Sequence, residues 1–109
     1  MSTNHGLDAG EMLETLKITG RKGRAVGGTW VTGTIAGHAF EALVFPEHAE
    51  SEAFELAQSR ISKLWIREQA TRTVVAVFER GWDTHPATDA AKAIVDLFAA
   101  GLAETVFGK

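Results

Sequence analysis

The segment from Phe78 to Pro86 concentrates the side chains of this chain that could do chemistry. It reads FERGWDTHP and brings two acids, an arginine, a tryptophan and a histidine close together. Asp83 and His85 could form a general acid–base pair, because a positioned carboxylate and imidazole can transfer protons near neutral pH. Their spacing in a loop does not enforce that geometry, so the pair alone does not identify an active site.

A divalent-metal site is a second hypothesis for the same segment. His48, Asp83 and His85 offer imidazole and carboxylate groups, which suit zinc or a similar ion. Neither an HxxxH nor an HxH spacing is present, so we expect no metal, no cofactor and ordinary surface histidines. The four histidines of the chain are His5, His38, His48 and His85.

Several classes of enzyme are excluded by what the chain lacks. It has no cysteine, which excludes disulfides, zinc–thiolate sites and thiol catalysis. No serine lies in a GxSxG elbow, and the stretch GRKGRAVGG is not followed by the GK[ST] of a phosphate-binding loop. We predict no catalytic residues. The sequence leaves the question of enzymatic activity open and favours a non-enzymatic protein.

The first part of the chain is polar and glycine-rich. Residues 1–7 are predicted to form a flexible tail, and residues 8–109 a single α+β domain. Asp8 is a suitable N-cap for a short amphipathic helix over residues 9–18, because an acidic residue follows at capping-box spacing. The stretch TGRKGRAVGG, residues 19–28, is predicted to be a flexible connector.

Strands and a long helix are predicted for the rest of the chain. TWVTGTIAGHAFEALVFP is typical of a hairpin with its turn at residues 36–38, and RISKLWIRE and RTVVAVFER follow as two further strands. A helix is predicted over residues 87–107, because its apolar residues recur along one stripe.

The predicted fold class is α+β. It consists of a four-stranded, mainly antiparallel β-meander with a C-terminal helix packed on one face and a short N-terminal helix. The predicted core consists of Phe40, Ala42, Val44, Leu64, Ile66, Val75, Val77, Ile94, Phe98 and Leu102.

Strand alternation predicts a sheet face that the C-terminal helix leaves uncovered. Leu64 and Ile66 are assigned to the core, which turns their immediate neighbours in the strand to the opposite side. On that basis the uncovered face is predicted to carry Trp30, Lys63, Trp65, Arg67 and Phe78. A monomer rarely leaves such an aromatic patch bare.

Three occupants of this face remain open. The N-terminal helix could pack on it through Leu13 and Leu16. A second copy of the chain could pack against it in a twofold dimer. Single-stranded nucleic acid could stack on the aromatic rings, with basic side chains on its phosphates.

The charges are unevenly distributed along the chain, whose net charge is −3. Arg21, Lys22 and Arg24 are predicted to form a basic loop that would assist nucleic-acid binding, although the net acidity counts against that partner. The segment 47–55 is acidic, and the sequence does not decide between helix and loop for it.

Nothing in the sequence predicts contact with a membrane. The N-terminal stretch lacks the basic start and the apolar run of a signal peptide. The longest apolar run is interrupted by Asp96 and is too short to span a bilayer. We therefore predict a cytoplasmic protein.

Two stretches, SRISKLWIRE and VAVFERGWD, resemble a pattern of small uncharacterised proteins of bacteria, phages and mobile elements. In that pattern a W-x-x-G hairpin comes first, here WVTGTIAGHAF, followed by a RISKL strand and a strand ending in RGWD. The resemblance covers about half of the chain, residues 30–85, and implies no catalytic residues. It implies one structural unit that contains Trp30, Gly33, Arg60, Lys63, Arg80, Gly81, Trp82 and Asp83.

Placed in the predicted fold, FERGWDTHP is interpreted as the corner between the last strand and the last helix. Gly81 would allow a turn with positive φ, and Trp82 would cap the end of the core. Thr84 or Asp83 would lead into the helix, and Arg80 and Asp83 could pair across the turn, a bond worth little if exposed.

The sequence favours a non-enzymatic binding or accessory protein of phage or mobile-element type. It would act through protein–protein contacts, as a homodimer or on another protein. The alternative is a nucleic-acid-associated module that uses Trp30, Lys63, Trp65, Arg67 and the basic loop of Arg21, Lys22 and Arg24.

Overall fold

The computed structural model describes residues 9–25, 27–47, 55–56 and 59–108 of the chain. The predicted tail over residues 1–7 lies outside the described residues. In chain order the elements are α1 (Ala9–Thr15), β1 (Lys17–Gly23), β2 (Thr29–Ile35), β3 (His38–Val44), β4 (Ile61–Glu68), β5 (Val74–Glu79), β6 (Trp82–Thr84) and α2 (Asp89–Phe107).

The strands form one antiparallel sheet in the order of the sequence, from β1 at one edge to β6 at the other. The predicted α+β class, antiparallel sheet, C-terminal helix and short N-terminal helix are confirmed. The predicted strand number is wrong, because the sheet has six strands and not four. Both additional strands lie at the edges.

The edge strand β1 replaces two predicted features. The predicted helix 9–18 ends at Thr15, and the predicted connector begins inside a strand that pairs with β2. Most of β1 is exposed. Hydrogen bonds to β2 therefore hold it in place rather than burial, and its basic residues are typical of a protected sheet edge.

The turn between β2 and β3 explains the first predicted hairpin. Ala36 and Gly37 have φ angles of 48° and 76°, and Ile35 pairs directly with His38 across them. A two-residue turn with positive φ at both positions matches the right-handed twist of the two strands. The hairpin over β2 and β3 is thus confirmed, with a turn that ends before His38.

The core lies between the sheet and α2. Directly paired residues of antiparallel strands point to the same side, so Val31, Ala42, Leu64 and Phe78 form one row. All four belong to one buried cluster with Ile94, Phe98 and Leu102 of α2. The rings of Phe40 and Phe98 lie 4.7 Å apart and join the two layers. Every predicted core residue belongs to this cluster except Val77.

The short helix α1 packs on the same side of the sheet as α2. Met12 is buried within the common core cluster, and Leu16 packs against it. The hypothesis that α1 covers the opposite face is therefore wrong. Leu13 remains 52% exposed.

Both ends of α2 are capped. The Thr88 hydroxyl accepts a hydrogen bond from the Ala91 N–H at 3.0 Å, and Gly108 adopts the left-handed conformation at the C-terminal end. Thr84 and Asp83, predicted to lead into the helix, lie in β6 instead. Among the described residues, no helix is long and apolar enough to cross a membrane.

Candidate functional site

The sheet face opposite α2 carries no helix within the described part of the chain. We call it the open face. Its members follow from the register, because each one pairs directly with another across the strands. The open face consists of Lys17, Gly20, Lys22, Trp30, Thr32, Thr34, Ala39, Glu41, Leu43, Lys63, Trp65, Arg67, Val74, Val77, Glu79 and Thr84.

Two of the three predicted aromatic residues lie on the open face. Trp30 pairs with Leu43, and Trp65 pairs with Glu41 and Val77. The placement of Phe78 is wrong, because it pairs with Leu64 and lies in the core. The run VVAVF is apolar throughout and shows no alternation, and an irregularity opposite Ile66 and Arg67 shifts the register.

The predicted basic residues divide between different surfaces. Lys63 and Arg67 lie on the open face as expected, together with Lys22. Arg21 pairs with Val31, so alternation turns it to the α2 side. Arg24 lies in the turn after β1, where its Nε donates to the Gly27 carbonyl at 2.9 Å and its guanidinium lies 5.8 Å from the Phe45 ring centroid. The predicted basic loop is therefore not one surface.

The open face has an apolar half and a polar half. The apolar half is formed by Trp65, Val74 and Val77 on β4 and β5. Trp65 is 48% exposed and Val74 38%, whereas Val77 is buried between its neighbours. Because a large aromatic side chain in mid-sheet exposes half its surface, this half can bury further apolar area against a partner.

The polar half is a shallow depression of about 390 Å³ next to β1. It is lined by Gly20, Arg21, Lys22, Trp30, Thr32 and Glu41. Glu41 was not predicted as a site residue. Alternation within one strand places it on a face, but its neighbours across the sheet follow only from the pairing of β1, β2 and β3.

The segment FERGWDTHP forms a tight hairpin between β5 and β6. Arg80 and Gly81 have φ angles of 59° and 144°, which confirms the positive φ predicted for Gly81. Trp82 pairs with Phe78, and the two rings meet edge to face at 5.2 Å. His85 stacks on the indole, with the ring centroids 5.3 Å apart. The segment packs an aromatic group against the core.

Neither the acid–base nor the metal hypothesis gains support from this geometry. Asp83 and His85 are exposed, and His48 lies outside the described residues. Within the described ranges, no group of three histidine, cysteine, aspartate or glutamate side chains is arranged to hold a metal ion. Most of the acidic segment 47–55 also lies outside the described residues.

His38 contradicts the expectation of surface histidines. It is buried at the start of β3, and its Nδ1 lies 2.8 Å from the Ala36 carbonyl oxygen. Its Nε2 is buried and has no hydrogen-bond partner among the described residues. The turn ends one residue earlier than predicted, which carries His38 into the sheet.

Arg60 links the sheet to the end of α2. Its side chain is 10% exposed and lies 3.3 Å from the carboxylate of Glu104. It also donates a hydrogen bond to the Pro46 carbonyl at 2.9 Å. Arg60 belongs to the stretch that resembles the RISKL pattern. That resemblance was the only feature of the sequence that pointed to a structural role for Arg60.

A comparison with models of protein families finds a match, which covers most of the sheet and of α2. A model described as a domain of unknown function (DUF7678) matches residues 29–103. The chain belongs to this family. The match confirms the expected membership of an uncharacterised family, and it spans β2 to most of α2 without α1 and β1. The comparisons with curated proteins and with solved structures found no match.

Proposed function

We propose that this DUF7678 protein is a non-enzymatic binding module whose contact surface is the apolar half of the open face. The partner is a protein chain, and in the first instance a second copy of this one. The observation that carries the proposal is the exposure of Trp65 and Val74, 48% and 38%, on the side of the sheet opposite the core cluster.

The size of these exposed side chains determines how much their burial can stabilise a complex. Complete burial of one large apolar side chain stabilises a complex by about 2 kcal/mol relative to exposure. Tryptophans at the centre of an interface are frequent binding hot spots. Trp65 lies on β4, within the sheet rather than at its edge. A flat partner surface that packs on the open face can therefore contact it.

The charges around the apolar half favour a protein partner. Lys63 and Arg67 flank Trp65 along β4, whereas Glu41 and Glu79 lie on the neighbouring strands. A rim with both signs of charge is typical of protein interfaces. A second copy meets the requirement because two such faces can stack at the usual sheet-to-sheet distance of about 10 Å in a twofold dimer.

Light scattering tests the proposal. We expect wild-type protein to show twice the chain mass of 11.7 kDa. Trp65→Glu should give the monomer mass, because a dimer of this variant would have to bury the glutamate charge in its interface. Leu13→Glu is the matched control, since Leu13 is equally exposed but lies on α1. A monomeric wild type that also captures no protein partner through Trp65 contradicts the proposal.

Nucleic-acid binding is the second candidate, and the cations beside the two tryptophans favour it. It requires single-stranded DNA or RNA to be retained at low salt and released as salt rises. Lys63→Gln and Arg67→Gln should each reduce that retention. Arg24 lies in the turn after β1 and packs on Phe45, so the predicted basic loop supports this candidate only in part. Absence of retention at low salt would eliminate it.

A further inference from the structure

We propose that the depression beside β1 binds a guanine nucleotide. The proposal concerns the polar half of the open face. It is independent of the protein contact proposed above, because no residue of the apolar half lines the depression. Three side chains carry it: Trp30, Glu41 and Lys22.

The register fixes how these three side chains are arranged. Trp30 pairs directly with Lys22 on one side. Glu41 pairs with Thr32 and is therefore the diagonal neighbour of Trp30 on the other side, at a Cα separation of about 7–8 Å. The indole thus stands between a cation and a carboxylate on one surface.

The depression stays open because Gly20 forms part of its lining. A Cβ atom at this position would lie 2.7 Å from the Thr32 hydroxyl oxygen. Any other residue would therefore crowd the space between β1 and β2. Lys22 and Glu41 are exposed and Trp30 is partly exposed, and all three line the depression, so a ligand in it can reach each of them.

Guanine nucleotides match all three groups at once. A purine ring can stack on the Trp30 indole. The guanine N1–H and N2–H groups can donate two parallel hydrogen bonds to the Glu41 carboxylate, which only accepts. The phosphate can pair with the Lys22 ammonium. Arg21 and Lys22 both line the depression, and we assign this contact to Lys22 because it pairs directly with Trp30, whereas Arg21 pairs with Val31.

Adenine does not fit the same arrangement. Its base-pairing edge offers one donor beside a ring nitrogen that is itself an acceptor, and this acceptor would face the Glu41 carboxylate. The site should therefore prefer GMP to AMP by about tenfold, the usual effect of a bidentate contact. It should also prefer GMP to guanosine, which lacks the phosphate.

Nuclear magnetic resonance titration provides the test. The chain has three tryptophans, so the indole N–H signals of Trp65 and Trp82 serve as internal references. Addition of GMP to about 5 mM, enough for a millimolar site, should shift the Trp30 signal most. Trp30→Leu should weaken GMP binding about fivefold or more.

Matched variants separate the two polar contacts. Glu41→Gln should abolish the preference for GMP over AMP, whereas Glu79→Gln, on the same face outside the depression, should keep it. Lys22→Gln should abolish the preference for GMP over guanosine, whereas Lys63→Gln should keep it. Equal binding of GMP and AMP, or an unmoved Trp30 signal, would overturn the proposal.

Two further probes identify the source of the ligand. A single-stranded octamer with one guanine that binds more tightly than GMP, with the same dependence on Glu41, supports the site and assigns the guanine to a nucleic acid. Tighter binding of GMP supports the site and assigns a free nucleotide. Binding of L-tryptophan without binding of GMP would overturn the proposal, because an aromatic amino acid also offers a ring, a cation and an anion.

Discussion

Gly33 shows how one residue determines the packing of the hairpin. It lies on the α2 side of β2, where the Phe40 ring covers it. A Cβ atom there would lie 2.9 Å from a ring carbon of Phe40 and would meet the carbonyl oxygen of Lys17. Both β1 and β3 therefore come close to the β2 backbone because this position has no side chain.

We predict that Gly33→Ala lowers the free energy of unfolding by about 1–3 kcal/mol, the usual cost of overpacking. Gly101→Ala is the control, because a Cβ there meets no atom within 4 Å. In the interior of α2 that change should stabilise by about 0.5–1 kcal/mol. Chemical denaturation measures both, and a Gly33→Ala variant as stable as the wild type would contradict the account.

At the residue scale, the sequence predicts which side of the sheet a strand residue lies on only where one side of the strand is polar and the other apolar. In β4 the alternation is clear, so Lys63, Trp65 and Arg67 were placed correctly. In β5 every residue of VVAVF is apolar, so the pattern gives no phase and Phe78 was placed on the wrong side. The predicted turn included His38, whereas the turn in the structure ends one residue earlier. His38 was therefore expected at the surface but is buried in the sheet.

The hairpin of β5 and β6 is the element that FERGWDTHP forms. Its turn uses positive φ at Arg80 and Gly81. Trp82 is half-buried against Phe78 and the core, and the Arg80 N–H donates to the Ser62 carbonyl at 2.8 Å. The segment therefore ties the last strand to β4 and to the core before the chain enters α2.

We predict that Trp82→Ala destabilises the protein by about 2 kcal/mol or more. Complete removal of a buried aromatic costs about 3–5 kcal/mol, and Trp82 is buried in part. The neighbouring Asp83 is exposed, so Asp83→Ala should stay within about 0.5 kcal/mol of the wild type. Thermal or chemical unfolding measures both. Equal stabilities of the two variants would show that the indole does not support the corner.

At the element scale, the sequence identifies those strands and the helix that bury apolar side chains. The strands β2 to β5 and the helix α2 carry apolar patterns and were found. The two edge strands, β1 and β6, were not predicted, because backbone pairing rather than an apolar pattern holds them in the sheet. β1 is rich in glycine and basic residues, and β6 has three residues. The depression depends on β1, so its existence could not be predicted before the pairing was known.

At the scale of the whole molecule, both helices pack on the same side of the sheet. This arrangement leaves the open face without a covering helix within the described residues. The sequence predicted that such a face exists, although α1 was a candidate to cover it. Pairing across six strands then separates an apolar half around Trp65 from a polar half around Trp30.

Thiol labelling tests directly whether the apolar half is covered in solution. The chain has no cysteine, so Val74→Cys and Leu13→Cys each introduce a single reactive group. Val74 and Leu13 are exposed by 38% and 52% in the single chain, so both should react at similar rates in a monomer. We predict that Val74→Cys is protected on the order of tenfold at high protein concentration, as mass action requires, and loses this protection on dilution. Leu13→Cys should react quickly throughout. Equal and concentration-independent rates for the two variants would contradict self-association through the open face.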